Sequence, residues 1–163
     1  MKKRLLFIGT FVITTLFAGC SKDEEKNPLV GTWESDVISE TFYGRSTPYN
    51  IKGRDIFIFY ADNRVAWKWT ASDDTYEGKY TADGNSITIT FADPATGASV
   101  IYGPGESFDL NFANGEKALA TVTEQTYLIN GNNLTIERKA NVPLYNGQTT
   151  YATKAIYKRV VAK

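Results

Sequence analysis

An all-β fold is what this sequence predicts, an antiparallel up-and-down barrel of about eight to ten strands over residues 29–163. Three observations predict it. Apolar and polar residues alternate in short runs from Leu29 onward, the mark of strands with one buried face. Asx-Gly pairs punctuate the runs at Asp83-Gly84, Asn114-Gly115, Asn130-Gly131 and Asn146-Gly147. Both residue types tolerate the positive φ that tight hairpins demand. No stretch after Cys20 sustains a helical period. A two-sheet sandwich satisfies the same observations, but consecutive hairpins favour a barrel, which closes and leaves no exposed edge.

The segment before the barrel divides in two. Lys2, Lys3 and Arg4 precede an apolar run from Leu5 to Ala18. That run is shorter than the roughly 20 residues a spanning helix needs, and it suits the middle of a cleaved export signal over residues 1–19. Ala18 and Gly19 are the small residues a signal peptidase requires, and Cys20, the sole cysteine, follows at once. Residues 20–28 then turn charged through Asp23, Glu24, Glu25 and Lys26, which reads as a solvated tether.

Along the barrel the phase of each strand can be read directly. In "NRVAWKWT", Val65, Trp67 and Trp69 share one face. "YEGKYT" sets Tyr76, Gly78 and Tyr80 against Glu77, Lys79 and Thr81. "SITITF" sets Ile87, Ile89 and Phe91 against Ser86, Thr88 and Thr90. Phe108, Leu110 and Phe112 alternate further on, as do Leu134 and Ile136. Between Ala92 and Glu106 the rhythm breaks at "ADPATGA" and "GPGE", which predicts a long loop, placed here as a flap over the barrel mouth. "YTADGNSITI" from Tyr80 and "YLINGNNLTI" from Tyr127 match in frame. They read as one hairpin recipe used twice, not as a repeat architecture.

Composition excludes several functions. The chain carries 18 basic and 18 acidic residues; without Lys2, Lys3 and Arg4, 15 basic remain against 18 acidic. No basic stripe is present, so nucleic acid is not an expected partner. Histidine is absent, which removes the commonest general base and the commonest zinc ligand. A lone cysteine forms no internal disulfide. Asp73, Asp74 and Glu77 are the densest acidic group in the barrel, but "ASDDTYEG" reads as a hairpin turn with a solvent-facing glutamate. No EF-hand, phosphate-binding loop or nucleophile motif occurs. The expectation is therefore a monomeric binding protein without catalysis, cofactor or metal.

Two resemblances sharpen this reading. Leu16, Phe17, Ala18, Gly19 and Cys20 resemble the lipobox of bacterial lipoproteins. "SKDEE", Ser21 to Glu25, is similar to the surface-export signal of Bacteroidota lipoproteins. Together they imply palmitate on Cys20, an outer-membrane anchor and a barrel facing the cell exterior. Gly31, Thr32 and Trp33 resemble the Gly-X-Trp motif on the first strand of lipocalin-like barrels. The resemblance implies that Trp33 plugs the closed floor, with a basic residue of the last strand across its ring; Lys158 and Arg159 are the candidates.

A lipocalin-like barrel raises the question of its interior, and the sequence leaves two answers open. Trp67, Trp69, Tyr76 and Tyr80 fit the lining of a cavity for a small apolar or amphipathic ligand, with Gly78 leaving space. The same residues fit a solid core, since an eight-stranded barrel is only just wide enough to be filled by side chains. A filled barrel would bind a protein or glycan through its loops or outer surface.

Overall fold

A computed structural model describes residues 27–92, 96–112, 115–144 and 147–161. Among them eleven strands and no helix occur: β1 (Gly31–Phe42), β2 (Arg45–Asn50), β3 (Asp55–Phe59), β4 (Arg64–Trp69), β5 (Asp74–Asp83), β6 (Ser86–Ala92), β7 (Ser99–Tyr102), β8 (Ser107–Asn111), β9 (Lys117–Asn130), β10 (Asn133–Leu144) and β11 (Gly147–Arg159). Eight of them form a closed antiparallel barrel in the order β6-β5-β4-β3-β1-β11-β10-β9, with β9 returning to β6. The other three are additions: β2 on β1, β7 on β6 and β8 on β9.

Tight turns set the register, though not as the Asx-Gly pairs suggested. Asp83 pairs with Ser86 and Asn130 with Asn133, so the loops are Gly84-Asn85 and Gly131-Asn132. Gly84 and Gly131, with φ of 57° and 58°, take the first loop position, as a type II′ turn requires. The Asx of each pair is the last strand residue. The predicted repeat is indeed one hairpin recipe used twice, in β5–β6 and β9–β10.

The walls are unequal. Strands β3 and β4 have five and six residues, whereas β1, β9, β10 and β11 have 12 to 14. β1 pairs with β3 only from Gly31 to Glu34, and from Val37 to Phe42 it pairs with β2 instead. Asp36 is the extra residue of a bulge between these two stretches. A bulge flips the alternation: Trp33 and Ser35 point inward below it, Ile38 and Glu40 above it. β9 does the same at Thr123, with Val122 and Gln125 both buried on either side. β2 lies wholly exposed on the rim, where Arg45 and Pro48 blunt its free edge.

The seam between β6 and β9 is narrow. The two strands meet at one pair, Ser86 with Thr126, and then diverge. The gap holds β7, β8 and the turn between them. The stretch from Ala92 to Glu106 is thus no open loop: Ser99–Tyr102 returns along β6 as β7, while residues 93–95 lie outside the described residues. Gln125, buried on β9, closes the seam. Its Nε2 donates to the carbonyls of Ile87 (3.0 Å) and Tyr102 (3.1 Å), tying β9 to β6 and β7 at once.

Two apolar clusters fill the molecule. The lower one is dense and aromatic, with Leu29, Trp33, Phe57, Phe59, Tyr80, Ile87, Ile89, Leu134 and Tyr157 all buried. The upper one centres on small residues, Ala120, Val122, Ala140 and Val142, ringed by half-buried Phe42, Phe108 and Tyr151. Phe42 and Phe112 stack at 5.6 Å across this upper end, joining the end of β1 to the residue that follows β8.

Candidate functional site

Three adjacent long strands build the site through their register. On β10, β11 and β1 the inward residues line up in rows: Ile136, Ala155 and Ile38; then Arg138, Thr153 and Glu40; then Ala140, Tyr151 and Phe42. The middle row is polar and lies between two apolar rows. A half-open cavity of about 190 Å³ sits against it, with Tyr102 of β7 and Phe108 of β8 across the space. The space exists because Ala155 and Thr153 are small where the lower cluster carries large rings.

The charges around the cavity are arranged in detail. Arg138 has its guanidinium 4.3 Å from the ring centroid of Tyr102 and 5.7 Å from that of Phe108. It pairs with Glu106, whose Oε2 also accepts the Gly103 N–H at 3.1 Å. Both side chains of the pair are largely buried. The buried Nε of Arg138 and Oε1 of Gln125 have no hydrogen-bond partner within the protein. Burial pushes the Tyr151 phenol up, and the negative charge and hydrogen bond of Glu40 push it further, so Tyr151 keeps its proton. Burial likewise raises Tyr102, on the cavity wall, and Tyr157, in the core.

The aromatic residues singled out in the sequence lie elsewhere. Trp67, Trp69 and Tyr76 come together at the top of the short wall: Trp67 stacks on Tyr76 at 5.1 Å and lies 5.9 Å from Trp69. The Trp67 indole N–H donates to Asp55 at 3.1 Å, and Trp69 is 37% exposed with Arg54 near its face. Tyr80 sits low in the core, edge-on to Phe59 at 5.0 Å, and its hydroxyl donates to the Tyr60 carbonyl. None of the four lines the cavity. Gly78 leaves no space for a ligand either, because a Cβ there would stand 2.2 Å from the Thr90 carbonyl oxygen of β6. Its missing side chain is used for close strand approach.

The floor is built from the Gly-X-Trp stretch. Trp33 is fully buried and donates its indole N–H to the Leu29 carbonyl at 2.8 Å. Of the two basic candidates, Arg159 lies over the ring, 4.2 Å from its centroid, and donates to the carbonyls of Val30 and Pro28. Lys158 points outward to Asp36. Gly31 has a φ of 141°, which favours glycine, and a Cβ there would stand 2.6 Å from the Arg159 guanidinium and push it aside.

Asp73 closes the β4–β5 turn with φ of 59° and pairs with Lys68, while Asp74 and Glu77 are exposed. Among the described residues no group of His, Cys, Asp and Glu is placed to hold a metal ion. Cys20 and the rest of residues 1–26 lie outside the described residues.

No family model and no curated protein matches this chain. Among solved structures, one that is similar is a mutant of REP1-NXSQ, a fatty acid transporter. It shares 15% identity, covers 81% of this chain and 98% of its own, and superposes with a TM-score of 0.19. The barrel itself is given by the strand pairings.

Proposed function

We propose that this protein is a lipid-anchored binding barrel of the outer membrane. In this reading Cys20 carries the acyl chains, residues 21–28 form the tether, and the barrel faces the cell exterior. The barrel holds a small apolar or amphipathic molecule and performs no chemistry on it. One observation carries the binding reading: a polar row of Arg138, Thr153 and Glu40 crosses an otherwise apolar cavity wall. A few polar groups set into an apolar pocket are what orients a ligand's polar end. Because the cavity is about 190 Å³, it suits a molecule of one ring and a short chain, below the size of a sterol or tetrapyrrole. The apolar rows then supply the driving force, at about 25 cal/mol per Å² removed from water.

Two experiments test the parts separately. Ala155→Leu projects extra methyl groups between Ile136 and Ile38 and fills the cavity. Calorimetric titration with small aromatic probes should lose its signal in that variant while the barrel still unfolds cooperatively; undiminished binding would place the ligand elsewhere. For the anchor, labelled palmitate should enter the native chain, and Cys20→Ala should move the protein from membrane to soluble fractions. Retention of that variant on membranes would remove the lipoprotein reading and leave the cavity reading intact.

A further inference from the structure

We infer that the cavity selects its ligand by charge and takes a small arylalkyl amine in preference to a carboxylate. The inference rests on the ligand-binding reading above and deepens it.

Arg138 is the cation of the cavity wall, and its charge is already paired, although its Nε donor has no partner within the protein. Glu106 pairs with it, and the rings of Tyr102 and Phe108 lie against it. A ligand carboxylate seeking Arg138 would have to displace a largely buried glutamate that also holds the Gly103 N–H. Removing one partner of such a pair leaves an uncompensated charge, which is strongly unfavourable.

Glu40 is in the opposite position. It faces the cavity from β1, beside Tyr151 of β11. Among the described residues no lysine or arginine forms an ion pair with it. Arg138, Glu106 and Glu40 together leave the site one negative charge in excess. Thr153 stands between Arg138 and Glu40 in the row, so their backbones lie two strand spacings, about 10 Å, apart. The Arg138 charge, already neutralised, therefore does little to offset Glu40.

An ammonium group beside Glu40 gains a counter-ion in a partly desolvated pocket, where the attraction is stronger than in water. A carboxylate in the same place meets like charge in a poorly hydrated pocket. Size narrows the class. A cavity of about 150 Å³ accommodates benzene, so about 190 Å³ takes a ring with a short side chain.

The test is a matched series titrated calorimetrically into the full chain near pH 7 and low salt: phenethylamine, 2-phenylethanol and 3-phenylpropionate. Phenethylamine should bind about tenfold or more tighter than 3-phenylpropionate, with the alcohol between them. Glu40→Gln should bring the amine down to the level of the alcohol, in a protein whose thermal unfolding remains cooperative. Equal binding of all three probes by the native chain, or tighter binding of the acid, would overturn the amine preference and leave the cavity reading standing. Absence of binding by any of the three would overturn both.

Discussion

The floor of this barrel and its upper cavity are made from the same strands, yet they solve opposite problems. Along β11 the floor uses Tyr157 and the cavity uses Ala155 and Thr153. β10 passes from Leu134 and Ile136, both buried and apolar, to Arg138. An eight-stranded barrel is filled when its inward residues are large, and it opens when they are small. At the floor a single tryptophan, capped by Arg159, excludes water. In the upper half, small residues and a buried ion pair leave room and polarity together. The difference separates dense packing from an open, polar space within one ladder of strands.

That separation can be broken from either side. The largest effect is expected at the floor: Trp33→Ala should cost about 3–5 kcal/mol, as truncation of a large core aromatic does. Urea unfolding reads this directly, and a loss under about 1 kcal/mol would mean that the floor is not where stability is concentrated. At the cavity, Glu106→Gln should cost about 2 kcal/mol by leaving the Arg138 charge without its counter-ion. Adding Arg138→Met should recover most of that loss, and a double-mutant cycle showing simple additivity would disprove the coupling.

The smallest effect is expected at the rim of the short wall. Burial raises the Asp55 carboxyl above its ordinary value of 3.8, partly offset by the Trp67 hydrogen bond and by Arg54. The folded protein therefore holds this proton more tightly than the unfolded chain. Its contribution to stability falls as pH rises through the window just above 3.8. Asp55→Asn keeps an acceptor for Trp67 and removes the charge. It should change stability at pH 7 by less than about 0.5 kcal/mol in either direction and flatten that part of the pH profile. A clearly destabilised variant would show that the ionised carboxylate is needed there.

Much of the fold was legible because its signals are local. Alternation in "SITITF" and "NRVAWKWT" marks two strands, and the glycines at 84 and 131 mark two of the hairpins. The closing pair Ser86 with Thr126 was not legible, since it joins distant residues through one bridge with no pattern of its own. The strand Ser99–Tyr102 was missed because two broken stretches flank it and its side chains are mostly exposed.

The cavity escaped for a more instructive reason. Aromatic residues drew attention to β4 and β5, where they pack on one another. The useful signal lay in strands whose apolar phase is interrupted by one polar residue: Leu134, Ile136, Arg138, Ala140, Val142 on β10, and Tyr151, Thr153, Ala155, Tyr157 on β11. On β1 even this signal was hidden, because the Asp36 bulge shifts the phase and makes Glu40 look outward when alternation is read straight through. A charged side chain in phase with the core of a strand is the mark to seek.

The position of Arg159 has a mechanical consequence. Its guanidinium holds the carbonyls of Pro28 and Val30 at the point where the chain joins β1, and β1 lies between β11 and β3 at that level. Force applied through the preceding segment would run along β1. It would act across the perpendicular hydrogen bonds of two ladders at once, in shear, instead of parting them one by one. A chain pulled from this end would resist extension where its packing is densest, and β1, which also carries Ile38 and Glu40 of the cavity wall, would be the first strand under load.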